Sequence, residues 1–268
     1  WVAVGKRPCD DRAMLKDLTR ADWVAALDLD PDRLPTVAVL RGTRNLRAQY
    51  ERYRGWFEEV VDVGSPNGIF EDVLIGTMRS VRVGYASVYG GPMASEIAHL
   101  FGVLGCSLVI QTGVCGGLAD GLDAGDLVVA TKAGCGDGAA HCYLPGREAV
   151  DASPELVTAV CNTPSIGVPR LAGPIWTTAA LLAEGQEEVD RWHDEGHVAV
   201  DMETAATFAV AEHFGMRRVS ILSVFDNPRH GAHLLLTEEE KRAARTAGED
   251  AMRTLILAAI DSANDAPR

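Results

Sequence analysis

Basic residues are in deficit: Lys and Arg number 25 against 38 Asp and Glu, for a formal net charge of −13. That balance argues against nonspecific nucleic-acid binding, which depends on cations set against phosphate. No apolar run reaches the length of a bilayer span, and no basic-then-apolar leader opens the chain. The chain begins at Trp1 rather than Met, which leaves room for upstream residues. The expected location is cytoplasmic, with no membrane partner. No CxxC pair occurs among Cys9, Cys106, Cys115, Cys135, Cys142 and Cys161. Reduced thiols therefore fit better than a disulfide framework or a zinc site, and no metal is expected. Cys115 lies in a Gly-rich loop, but with no His at a helpful spacing it reads as a small packed residue. Repeats, low-complexity segments and domain-splitting linkers are also missing, so 268 residues at 47% hydrophobic content suit a single α/β domain.

What is present alternates. Residues 1–35 are mixed and charged and read as a helical N-terminal arm, with residues 36–268 as the catalytic domain. Short β-rich runs fall at 36–40, 81–88, 107–113, 126–131, 197–203 and 218–226. Helical periodicity falls at 44–59, 91–104, 153–161, 179–195, 203–214 and 237–260. This pattern predicts a mixed central sheet flanked by helices on both faces. One local excess of positive charge stands out: Arg41, Arg44, Arg47, Arg52 and Arg54. A solvated helix face accounts for most of them, although a small anionic substrate could also be met there.

Chemistry concentrates at strand ends, where α/β sheets bind ligands. "VYGGP", "TGVCGG", "DME" and "FDNPR" each follow a β-rich run. Any one of these could be a simple chain reversal; four together read as one composite pocket. "GVCGGLADG" (113–121) lacks GxGxxG spacing, and no GxxxxGK[ST] occurs, so dinucleotide and nucleoside-triphosphate sites are disfavoured. Within "VAVDMETAATFAVAEHFG" (198–215), a buried strand gives way to a helix at Asp201, Met202 and Glu203. Asp201 reads as a helix cap.

Residues 90–131, "GGPMASEIAHLFGVLGCSLVIQTGVCGGLADGLDAGDLVVAT", resemble the central segment of the nucleoside phosphorylase-I family, which contains purine and uridine phosphorylases and nucleosidases. Residues 200–227 resemble its second hallmark, a strand ending in Met-Glu and a later strand ending in Asp. "CGDGAAHCYLPG" (135–146) is similar to a loop of the uridine phosphorylases, and "VLRGTRNLRAQY" (39–50) is a looser match to the family's phosphate loop. The likeness runs from about residue 36 to 260. It implies cleavage of a nucleoside's N-glycosidic bond through an oxocarbenium-like transition state. On that reading Glu203 accepts from the ribose 2′- and 3′-hydroxyls while charge grows at C1′. Met202 floors the sugar and Tyr89 lies along it. Asp226 serves purine N7 as the acid, a role that needs a carboxyl kept protonated. No cofactor is implied, and the partners are a small-molecule nucleoside and further copies of the chain, as a dimer or trimer of dimers.

The pattern breaks at the anion. Where purine phosphorylases carry Arg before the x-Gly-(Ser/Thr) turn and a hydroxyl after it, this chain has Gln111 and Val114 around Gly113. Gly42 with Arg44 or Arg47 still matches the phosphate loop. Because one charge and one donor are missing, water is favoured as the nucleophile. Phosphorolysis, with phosphate as co-substrate, is the alternative, and a non-catalytic nucleoside-binding protein is the third reading. No Gln-x-Arg uracil clamp occurs at 170–182; Trp176 instead offers a stacking surface or a core residue, and Leu181 falls near the family's purine-stacking position. A purine is preferred. His141 and Tyr143 read as surface-loop residues at the pocket rim.

Overall fold

The computed structural model describes residues 14–66, 68–164, 167–231 and 240–264. Among the described residues ten strands form one mixed sheet: β1 (Val37–Gly42), β2 (Glu58–Asp62), β3 (Val73–Met78), β4 (Val81–Val88), β5 (Leu108–Gly117), β6 (Leu127–Gly136), β7 (Ala149–Asp151), β8 (Arg170–Thr178), β9 (Ala199–Asp201) and β10 (Arg217–Asp226). The eight described helices are α1 (Arg20–Ala26), α2 (Leu46–Arg54), α3 (Gly90–Leu104), α4 (Ala140–Tyr143), α5 (Pro154–Asn162), α6 (Gln186–Asp194), α7 (Thr204–His213) and α8 (Glu240–Asn264).

β5 organises the sheet. Its first half pairs in parallel with β1, its whole length with β10, and its last two residues run antiparallel to β9. Since β9 also pairs with β8, β8 with β6, and β6 with β10, five strands close into a ring rather than an open sheet. From β5 the sheet continues outward as β1, β4, β3 and β2. Apolar side chains alternate along β1 as the strand period requires: Val37 and Val39 meet α2, α5 and α8 on one face, while Ala38 and Leu40 meet α1, α3 and α7 on the other. A third cluster, with Cys115, Ile175, Phe208, Leu222 and Val224, fills the ring beneath α7.

The elements that the sequence pattern did not mark have physical reasons. β2 is charged and mostly exposed, so it carries no apolar alternation. β8 contains Gly173-Pro174, which reads as a turn, yet the ladder to β6 shifts register at that point and accommodates the missing N–H. The helix expected over 179–195 is split: a single turn spans Leu181–Ala183, and α6 starts afresh after Gly185, whose N–H donates to Glu188 Oε2 at 3.1 Å. The described part of the expected arm carries α1, capped by Thr19 and anchored by buried Trp23 against Phe70; residues 1–13 lie outside the described residues. Cys106, Cys115, Cys135, Cys142 and Cys161 are free thiols; Cys9 is not among the described residues. Among the described residues no helix is long and apolar enough to cross a membrane.

One polar contact crosses the outer core. Arg41 is 1% exposed and pairs with Glu249 of α8, which also receives Arg52 Nη1 at 2.8 Å. Removing one partner strands a buried charge, whereas replacing both with apolar groups does not. Glu249→Ala is expected to destabilise the fold by about 3–5 kcal/mol in urea unfolding. Arg41→Met with Glu249→Leu should recover most of that loss.

Candidate active site

β9 is only three residues long, yet it is clamped on both sides. Val200 pairs with Gly116 of β5 and with Trp176 of β8, and Asp201 pairs with Thr177. Asp201 is buried and fully engaged. Its Oδ1 accepts from Thr177 Oγ1 at 2.7 Å, and its Oδ2 accepts from Thr204 N at 2.9 Å and Thr204 Oγ1 at 2.5 Å. It caps α7, the role read for it from the sequence. Met202 follows, half-buried, and the chain turns at Glu203, the residue before α7.

Glu203 is 4% exposed, and its Oε1 accepts from Gly90 N at 2.7 Å. Gly90 opens α3 at φ +76°, a conformation that suits glycine and aims its N–H at the carboxylate. Oε2 lies against Gly42, the last residue of β1. A Cβ there would stand 2.5 Å from Oε2 and 3.2 Å from Gln111 Nε2. Burial, then the adjacent Asp201 charge, raises the Glu203 pKa well above the usual carboxylate range; the Gly90 N–H and the Arg41 charge pull it back. Three strand ends, those of β1, β4 and β9, thus converge on one carboxyl.

Gln111 does not face an open anion site. It is fully buried; its Oε1 accepts from Thr207 Oγ1 at 2.8 Å and its Nε2 donates to the Thr112 carbonyl at 2.9 Å. It ties α7 to β5 one helical turn beyond Glu203. Gly113 lies beside the Gly42 carbonyl, and Val114 is half-buried and brings no polar group. The arginine cluster divides. Arg47 is paired with Glu51 and, at 3.2 Å, with Asp72; Arg52 is paired with Glu249 and Asp250, and Arg54 with Asp62. Among the described residues Arg44 has no carboxylate partner, and its guanidinium sits 4.9 Å from the centre of the Tyr89 ring. Tyr89 immediately precedes Gly90, so Arg44 and Tyr89 stand beside the Glu203 clamp. Of the two arginines read as phosphate ligands, Arg47 is paired with carboxylates on the surface, and Arg44 lies against the Tyr89 ring.

Trp176 is a packing residue. It stacks on Trp192 at 5.9 Å, meets His197 edge-on, and lies so close to Gly134 and Gly136 that no side chain fits there. Its side chain points away from Thr177, which faces Asp201, because successive strand residues alternate. It is half-buried, packed against the cluster of Leu118, Val189, Trp192 and Val200. Leu181 is half-buried in the turn after β8. His141 is exposed, and Tyr143 turns its hydroxyl to His99 Nδ1 at 3.0 Å, between α3 and α7.

Asp226 ends β10, half-buried, where a bulge sets it opposite Gly116. Its charge reaches Cys115 and Glu184. Glu184, in the loop between β8 and α6, was not singled out from the sequence. Burial first and Asp226 second raise its carboxyl to about 7. The signal that marks it was Gly185, which breaks the apparent helix at that point. Among the described residues no group of three or more His, Cys, Asp or Glu side chains is set to hold a metal ion.

The phosphorylase superfamily matches residues 38–261, and the chain belongs to it as an enzyme of that family. It is 34% identical over 209 residues to a guanosine phosphorylase of Halorubrum lacusprofundi, covering 76% of this chain and 78% of the relative. It is 26% identical over 192 residues to a DeoD-type purine nucleoside phosphorylase of an Exiguobacterium species, covering 70% and 77%. A uridine phosphorylase from Vibrio fischeri ES114 shares its fold, with a TM-score of 0.72 at 20% identity over 90% of this chain and 96% of that one. These relatives are named phosphorylases, which favours phosphorolysis over the hydrolysis expected from Gln111 and Val114.

Gly42→Ala is expected to push the Glu203 carboxylate aside and lower kcat/KM on the order of 10²-fold while circular dichroism stays unchanged. Glu203→Gln should stabilise the protein by about 1–2 kcal/mol near neutral pH. Above the ordinary carboxylate pKa of about 4.3, the unfolded chain gives up this proton while the folded one keeps it. Stability from the protonated group is therefore lost as pH rises toward the raised folded value. The melting-temperature gain of the variant should grow with pH through that window.

Proposed function

We propose that the protein phosphorolyses a purine nucleoside, of the guanosine type, to free base and ribose 1-phosphate. The observation that carries this reading is the dry Glu203 carboxylate. It is fixed by the Gly90 N–H and faced by the bare backbone of Gly42, so it can accept from the two ribose hydroxyls. In its ionised form, held there, the carboxylate favours the positive charge that develops at C1′. As the C1′–N9 bond breaks, its electron pair leaves with the base, N7 takes the proton of Asp226 in its acid form, and a phosphate oxygen bonds to C1′. The 34% identity to a guanosine phosphorylase supports the purine and the phosphate alike.

Arg44 supplies the cation in this proposal. It stands beside the sugar clamp without a carboxylate of its own, in a loop that ends at the N-terminus of α2. Tyr89 lies between that guanidinium and the ribose. The assembly into dimers or trimers of dimers, and the cytoplasmic location, belong to the same proposal. Hydrolysis is the second reading, and one observation favours it: neither Gln111 nor Val114 offers phosphate a charge.

A nucleoside panel with and without phosphate tests the choice. Base release is expected to require phosphate, with ribose 1-phosphate as product; release in phosphate-free buffer with free ribose would establish hydrolysis instead. Arg44→Ala should raise the KM for phosphate about tenfold or more, the worth of one charge-assisted contact, with little change in nucleoside KM. Glu203→Ala should lower kcat/KM on the order of 10² to 10⁴-fold. Near-normal activity in that variant would remove Glu203 from the site.

A further inference from the structure

The proposed reaction gives no role to Asp137, a buried acid in the loop after β6. It lies between Gly136 and a left-handed Gly138 (φ +81°) and is 7% exposed. Its Oδ2 accepts from Ala140 N at 3.3 Å, which turns the chain into α4, while its Oδ1 is shut from water without a donor. A turn of that kind needs no buried acid, since Ser or Asn serves as well, and burial of a carboxyl is costly. What the carboxyl does touch is Gly91, the second residue of α3. A Cβ on Gly91 would overlap Asp137 Oδ2 and stand 3.1 Å from its Cγ and 3.2 Å from its Cβ, so turning the carboxyl would not clear it. The start of α3 has little of its own to hold it. Gly90 and Gly91 carry no side chain, Pro92 has no N–H, and Tyr89 provides no side-chain cap. Yet the Gly90 N–H must stay on Glu203 Oε1, 2.7 Å away.

We propose that Asp137 is a positioning residue that braces Gly91 and thereby keeps the Gly90 N–H on Glu203. This rests on the ribose-holding role proposed above for Glu203. The brace lies against the first turn of a 15-residue helix, where an acid is favoured by the positive end of the helix. That attraction offsets part of the cost of burying it. Glycine at position 91 follows from the same contact. Alanine is the better helix former, but its methyl has no room while the carboxyl is there. Positions 91 and 137 therefore share one volume, and a methyl on residue 91 can take the place of a carboxyl removed from residue 137.

The test follows hydrogen exchange of the Gly90 amide in the full chain by mass spectrometry, beside kcat/KM for guanosine and 3′-deoxyguanosine. Asp137→Ala is expected to speed exchange at Gly90 about tenfold. It should lower kcat/KM about tenfold for guanosine and about threefold or less for the 3′-deoxy substrate, which has one hydroxyl fewer for Glu203 to hold. Gly91→Ala should do the same, because its methyl displaces the carboxyl. Combining the two substitutions should return exchange and guanosine turnover to within about threefold of the unmodified protein, a coupling that general damage to the fold would not produce. Asp137→Asn keeps the shape and should recover most of the Asp137→Ala loss. Additive losses in the double variant, or unchanged Gly90 exchange in either single variant with circular dichroism intact, would overturn the assignment. If Asp137→Ala does not fold, Gly91→Ala decides by the same exchange measurement. If exchange responds as expected but the unmodified protein cleaves no nucleoside, the brace stands and the proposed reaction fails.

Discussion

A carboxylate kept from water must be held by the protein itself, and the holding of Glu203 draws in most of the fold. The Gly90 N–H reaches it because α3 begins with a left-handed glycine at the end of β4. Gly42 leaves room for it because β1 ends without a side chain at that level. Asp201, two residues earlier, adds to that cost through its own charge and is held in place by Thr177 and Thr204. Gln111 fastens α7 to β5 through Thr207, which keeps the helix that starts at Glu203 in register with the sheet. None of these groups need be reactive. Together they hold a costly acid where three strand ends meet, and the raised Glu203 pKa is the mark of that cost.

The closed ring gives the clamp its stiffness. β9 contributes three residues, too few to stand alone, and is fixed only because β5 and β8 both pair with it. On the far face of β1, the Arg41–Glu249 pair joins the long C-terminal helix to the strand that ends at Gly42, and the Arg41 charge is felt at Glu203. Stability and site chemistry thus pull in opposite directions at position 203 and in the same direction at position 41.

Much of this was legible in the residues. The alternation of β-rich and helical runs marked six of the ten described strands, β1, β4, β5, β6, β9 and β10, and the regions of α2, α3, α5, α7 and α8, with the run at 179–195 split before α6. The Asp-Met-Glu seam after a buried run marked the strand end that bears Glu203. Ring closure was not legible, because nothing in an apolar strand says which neighbour it meets on its second edge, and β8 was hidden by Gly173-Pro174. Trp176 could have been core or pocket from composition alone; alternation along β8 against Thr177 turns it to Trp192. Gln111 and Val114 suggested a missing anion site and hence water as the nucleophile, whereas relatives named phosphorylases favour phosphate. Glu184 lay inside an apparent helix and became visible only through its shielded oxygen.

The central claim is that Glu203 holds the ribose through its hydroxyls, and a cycle between one substrate hydroxyl and one side chain tests it. The measurement is kcat/KM for guanosine and 3′-deoxyguanosine, with the unmodified protein and with Glu203→Gln. The account predicts that losing the 3′-hydroxyl lowers kcat/KM at least about tenfold in the unmodified protein, as for a charge-assisted hydrogen bond, and far less in the variant. The same loss in both proteins would mean that the hydroxyl is held elsewhere, and would contradict the account.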